Sequence, residues 1–176
     1  MTKRMIAKLG HPVLLDPSRP VDDPTSAAIQ ALIDDMIETV QAAKGVGLAA
    51  PQVFEPVRVI IARDKTKSEP LYQPLINPEF AAIGDKVAFD IEGCLSIDHL
   101  NGIVPRHENI RVKALDRHGK PVEFAASGHF ARVIQHEIDH LEGVLFVMRV
   151  RDWQAVAMKS ERDRLEALLE SGYDRR

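Results

Sequence analysis

The stretch IQHEIDHLEGVLF, residues 134–146, constrains this chain more than any other. It sets His136, Glu137 and His140 inside a run that otherwise reads as a buried helix. On a helix, residues four apart share a face. Both imidazoles can therefore reach one metal ion, with Glu137 beside it to handle a proton. Phe130, Val133, Ile134, Ile138 and Leu141 make the helix apolar on more than one side, which predicts a central place in the fold. Buried imidazoles and a carboxylate need compensation, for which a metal ion is the leading candidate; the alternative is a chance pairing of these residue types.

A chain of 176 residues can bury a sizeable core around such a helix, and we read residues 1–176 as one catalytic domain. Apolar residues at 45% and charged residues at 28% fit a soluble globular protein. The net charge of -3 provides no broad basic field, which argues against a direct nucleic-acid site. The single cysteine, Cys94, rules out an intrachain disulfide. The first twenty residues carry no sustained apolar core, so the expectation is no signal peptide, no membrane span and a cytoplasmic location.

Apolar residues at 29, 32, 33, 36, 37 and 40 recur at helical spacing. Asp23 and Pro24 are placed to start that helix, and Gly45 to end it in the left-handed conformation. VRVIIAR (57–63) and KVAFDIEG (86–93) read as strands. In NIRVKALDRHGKPVEFAA, the segment DRHGK reads as a hairpin turn. Ser127 and Gly128 open the histidine helix and Gly143 closes it. VLFVMRV (144–150) reads as a short strand. The tail reads as a helix over about 152–170, with Trp153, Val156, Leu165, Leu168 and Leu169 as packing residues. The expected class is α+β: antiparallel strands and hairpins around a central metal-binding helix, with further helices near both termini.

Two histidines leave a catalytic metal short of a third protein ligand. A metzincin would place a histidine where this chain has Phe146, which cannot coordinate. Glu161 and Glu166 sit in the charged tail without a supporting motif. Cys94 in IEGCLSI is the remaining candidate. It follows Gly93, which permits close approach, and a thiolate is a strong ligand for Zn or Fe(II). The alternative for a lone cysteine among apolar residues is inert core.

Three blocks, GVGLAAPQ (45–52), EGCLS (92–96) and QHEIDHLEG (135–143), resemble the three motifs of the peptide deformylases in order and spacing. The likeness extends to LGHPVL near the start, NPE at Asn77 and VPR ending at Arg106. It implies that Cys94, His136 and His140 bind one divalent ion, with Fe(II) favoured and Zn or Ni also accommodated. It also implies that Glu137 is the general base and then acid, and that Gln52 and the backbone N–H of Leu95 stabilise the oxyanion. The implied reaction converts a formyl-methionyl peptide into formate and a free amino terminus. The substrate is a formylated peptide or nascent-chain terminus.

Small residues in GVGLAAPQ leave backbone exposed at Gly45, Val46 and Gly47, so an extended peptide can pair alongside. Glu92 and Arg106 are a candidate ion pair fixing the cysteine loop. Helical spacing places Arg132, His129 and Val133 on the side of His136 that faces the metal. In the family this face is an apolar methionine pocket, and Arg132 and His129 are poor walls for a thioether. One reading has Arg132 lay its stem along the pocket and carry its head to water. Another has the pocket take a polar or acidic first residue, or a small formylated substrate, with Asp90 pairing to Arg132. Asn101 replaces an arginine that holds the peptide in many bacterial members. Further alternatives are a metallopeptidase sharing the His-Glu motif, and a paralogue that binds a formylated ligand without turnover. Oligomeric state is open.

Overall fold

The computed structural model describes residues 2–67 and 71–173. In chain order the elements are α1 (Ala27–Ala42), β1 (Gly47–Ala49), β2 (Val59–Arg63), β3 (Tyr72–Ala82), β4 (Val87–Cys94), β5 (Ile97–His107), β6 (Asn109–Leu115), β7 (Pro121–Ser127), α2 (Gly128–Leu141), β8 (Val156–Met158) and α3 (Arg162–Glu170). Strands β1-β2-β3-β6-β7 form one antiparallel sheet and β4-β5-β8 a second. This is the expected α+β class, with the histidine helix central: residues 130–141 of α2 are all buried.

The run VIIA in β2 explains how the larger sheet is filled. Successive strand residues point to opposite faces. Ile60 and Ala62 pack with Val133, Ile134 and Ile138 of α2. Val59 and Ile61 pack with Leu32, Ile33, Met36 and Val40 of α1. The sheet is thus covered on both faces, and its strand reads as continuously apolar. Each fully buried isoleucine stabilises by about 1.5–3 kcal/mol. The second sheet is covered in the same way: Val104 meets Leu14, Leu145 and Phe146, while its neighbour Ile103 meets Ala155, Leu165 and Tyr173.

Local signals behave unevenly. The β6–β7 hairpin turns at residues 116–120, as DRHGK predicts, with Asp116 accepting N–H bonds from His118 (2.8 Å) and Lys120 (2.9 Å). Gly143 closes α2 at φ 71°, which favours glycine. The start of α1 is displaced from its expected cap. Asp23 instead builds a turn by accepting from the N–H and hydroxyl of Thr25, and the helix begins after Ser26. At the other end Lys44, not Gly45, is left-handed (φ 54°). The N–H of Gly45 then bonds back to the Val40 carbonyl at 2.9 Å. Gly45 itself is needed for closeness, since a Cβ there would lie 2.9 Å from Val40 and 3.0 Å from Leu95.

Two expectations in the last third are overturned. Residues 144–150 are no strand; Phe146–Met148 is a single 3₁₀ turn. The apolar character there reflects burial of Leu145 and Phe146, not pairing. The tail helix starts only at Arg162. Before it, Trp153–Ala155 is a 3₁₀ turn, Val156–Met158 pairs with β5, and Lys159–Glu161 is another 3₁₀ turn. Trp153 is 83% exposed and does not pack the tail, whereas Leu165 is fully buried.

Candidate active site

Cys94 ends β4, and the pairing register of β4 with β5 shifts between Glu92 and Cys94. Such a shift re-aims a side chain at a strand end. The Cys94 Sγ lies 3.2 Å from His140 Nε2. His136 and His140, one turn apart on α2, have ring centroids 5.1 Å apart. One ligand atom from each of Cys94, His136 and His140 falls within 4.8 Å of the others.

The donor set fits a single divalent ion. It combines one sulfur with two imidazoles, the mixture that suits Zn or Fe(II). His136 Nδ1 bonds to Glu92 Oε2 at 2.8 Å, which turns its other nitrogen toward the cluster. Burial lowers the His140 pKa well below the usual imidazole range, which favours the neutral form a ligand requires, whereas at His136 burial is outweighed by the bonds to Cys94 and Glu92, which raise it.

Glu92 is the hub beneath this cluster. Burial alone would raise its carboxyl, but the hydrogen bonds from His136 and Arg106 outweigh that and hold it well below the usual range. Arg106 donates twice, Nε to Oε1 at 2.9 Å and its second terminal nitrogen to Oε2 at 3.0 Å. The expected pair is therefore present and buried. Arg106 also pairs with Asp139, and Asp139 accepts from Arg149 at 2.8 and 3.1 Å. This extension was missed from sequence, although Asp139 stands one helical turn from His136.

Glu137 is 5% exposed, and its Oε2 has no hydrogen-bond partner among the described residues. Burial is the main cause that pushes its carboxyl up to about 7. A side chain at Gly47 would collide with this carboxylate. Gln52, 2% exposed, is oriented by the Ala49 N–H, which donates to its Oε1 at 2.8 Å. That leaves Nε2 turned toward Ser96 Oγ (3.1 Å) and Cys94 Sγ (3.5 Å). Ser96 carried no signal in the sequence beyond its place in the cysteine block.

A cavity of about 490 Å³ opens over these groups. Gly45, Val46, Gly47 and Gln52 line one side, and Gly93, Cys94 and Leu95 another. His129, Arg132, Val133, His136 and Glu137 contribute from α2, while His140 lies behind, 1% exposed. Gly93 has no room for a Cβ, because Asn101 Nδ2 stands 2.7 Å from that position. Asn101 is itself buried and donates to the Glu92 carbonyl at 3.2 Å.

Arg132 departs from the expected course. It is 7% exposed, so its head does not reach water. The guanidinium donates to Glu92 Oε1 (2.7 Å), the Val104 carbonyl (2.9 Å) and the Ala88 carbonyl (2.7 Å). Its charge therefore shares Glu92 with Arg106, and its terminal N–H groups are engaged by Glu92 and two strand carbonyls. The expected pairing with Asp90 is present as a longer ion pair, Asp90 Oδ2 to Arg132 Nε at 3.9 Å.

The sequence pattern of the family described as Polypeptide deformylase matches residues 3–156. Peptide deformylase 2 of Ralstonia nicotianae is 40% identical over 156 residues, covering 85% of this chain and 88% of its own. A class I type b peptide deformylase from Acinetobacter baumannii, solved with Met-Ala-Ser bound, has a TM-score of 0.78 at 35% identity, covering 85% of this chain and all of that one. The Thermotoga maritima peptide deformylase gives 0.79 at 36% identity, covering 86% and 100%.

Proposed function

This chain belongs to the peptide deformylase family, and we infer that its cavity hydrolyses the formamide of formyl-methionyl peptides to formate and a free amino terminus. One observation carries the reading: the sulfur of Cys94 meets His136 and His140 in the cavity that also receives Glu137 and Gln52.

Cys94, His136 and His140 would hold one divalent ion, for which we favour Fe(II) over Zn or Ni. When bound, such an ion supplies Lewis acidity that brings the pKa of water toward ~7. Glu137 then accepts the proton of the attacking water, from a position where burial has already made its carboxyl a better base. It returns that proton to the departing amine nitrogen. Gln52 Nε2 and the Leu95 N–H would donate to the developing oxyanion, each worth about 3–4 kcal/mol where the donor is fixed in advance. The Ala49 bond to Gln52 supports such fixing. An extended peptide would pair along Gly45–Gly47, opposite Gly93, with its first side chain running along Val133 toward His129 and Arg132.

The Met-Ala-Ser bound by the Acinetobacter relative supports a formylated peptide as substrate in preference to a small formylated molecule. Engagement of the Arg132 donors by Glu92, Val104 and Ala88 likewise favours an apolar first residue over an acidic one. We assign the activity to the cytoplasm and to one catalytic domain. No helix among the described residues is long and apolar enough to cross a membrane. Incubation with formyl-Met-Ala-Ser and with an unformylated hexapeptide tests the reading. Formate release with no internal cleavage is expected; cleavage of the hexapeptide would favour the metallopeptidase alternative.

A further inference from the structure

Arg132, His129 and Asp90 each line two cavities at once. One is the 490 Å³ substrate cavity; the other, of about 260 Å³, is bounded also by Phe89, Arg106 and His107. These three residues are the partition between them. The middle one is fixed. Both NH1 bonds of Arg132 are spent, on Glu92 and on the Val104 carbonyl, and its second terminal nitrogen is held by the Ala88 carbonyl. A guanidinium tied to a buried carboxylate and two strand carbonyls cannot swing aside as a free arginine would. Along α2, residues 129, 132, 133 and 136 share one face, and seven residues of helix rise ~10 Å. A side chain that starts beside His136 and follows Val133 would run toward Arg132, which lines both cavities.

We propose that Arg132 is the end wall of the pocket for the substrate's first side chain and sets the longest chain the site accepts. This deepens the deformylase reading and rests on it. The accepted class is formylated peptides whose first side chain is apolar and short enough to stop at the guanidinium. Longer unbranched chains are excluded by the wall, although space lies behind it.

The test compares kcat/KM on formyl-Met-Ala-Ser with that on the analogue carrying 2-aminooctanoate as first residue. The parent protein is expected to favour methionine by at least about tenfold. Arg132→Ala, which opens the partition, should narrow that ratio by about tenfold even if both rates fall through loss of the Glu92 contact. Arg132→Met, which keeps the bulk and removes the charge, should retain the parent ratio. A role confined to holding Glu92 would lower both rates together and leave the ratio unmoved. If Arg132→Ala does not fold, Arg132→Val keeps an apolar side chain on the buried helix face, ends short of Glu92 and opens the same wall, and should narrow the ratio in the same direction. The proposal is overturned if the folded opening variant keeps the parent ratio within about twofold, or if the parent takes the octanoate chain as readily as methionine. Absence of formate release from the methionine substrate by the metal-loaded parent would instead overturn the deformylase reading, and this one with it.

Discussion

Gly47 and the Glu137 carboxylate share one volume: a methyl group on the glycine would occupy space the carboxylate already fills. The glycine sits on β1 and the acid on α2, so the closeness is set by how sheet and helix pack, through Ala49, Ile60 and Val133 among others. Gly47→Ala should therefore displace Glu137 while leaving the Cys94–His136–His140 cluster intact. The expected outcome is a fall of about 10²-fold in kcat with little change in metal content, measured by steady-state kinetics and metal analysis of one preparation.

Gln52 is held by its own backbone neighbourhood, with the Ala49 N–H on its oxygen. If Gln52 is the oxyanion donor we propose, Gln52→Ala should remove about 10²–10³ in kcat with KM nearly unchanged, since such a donor would act on charge that develops only during reaction. A rise in KM at constant kcat would assign Gln52 to ground-state binding.

Arg106 stands between two buried carboxylates, Glu92 and Asp139. Burial opposes its charge, but the bond to Glu92 prevails and raises its pKa further. Arg106→Ala should cost about 3–5 kcal/mol of unfolding free energy, because both acids are left buried with less compensation. Metal affinity should fall by about 10–100-fold, since Glu92 orients His136. Urea unfolding and competition with a chelator measure the two effects separately.

The β6–β7 turn offers a pH test away from the site. Backbone N–H bonds from Lys120 and His118 hold the Asp116 carboxyl below its ordinary 3.8. A carboxyl depressed in the folded state contributes stability above its unfolded value and loses it as the pH falls through the lower folded value. Asp116→Ala should lower the thermal midpoint at pH 7, and the gap to the parent should close as the pH drops below about 3.8. A gap that stays constant down to pH 2.5 would mean that the hairpin does not depend on the charge.

The histidine helix was readable because its signal is local: two residues four apart on an apolar background need no knowledge of the rest of the chain. The Glu92–Arg106 pair was also within reach, since it lies within the β4–β5 hairpin. Arg132 was not readable in the same way. Its partners, Glu92, Ala88 and Val104, lie 28 to 44 positions away on two strands, and only the packing of α2 against them directs the guanidinium inward. The apolar run at 144–150 shows a different limit. Burial of Leu145 and Phe146 leaves the same trace in sequence whether the backbone is strand or 3₁₀ turn. Trp153 reverses the usual inference altogether, being large, apolar and 83% exposed.

Metal removal should both inactivate and loosen the protein, because binding free energy at a site formed only in the fold is folding free energy. With Fe(II) and a thiolate ligand, aerobic preparations should lose activity faster than anaerobic ones at equal initial metal content. Equal decay in the two atmospheres would favour Zn or Ni.

The most direct measurement is formate release from formyl-Met-Ala-Ser by anaerobically reconstituted parent protein and by Glu137→Ala at the same metal-to-protein ratio. The account predicts one formate per free amino terminus from the parent, and a rate lower by about 10²–10⁴-fold in the variant with its metal retained. Equal rates in the two proteins, or no formate from a parent carrying a full complement of metal, would contradict it.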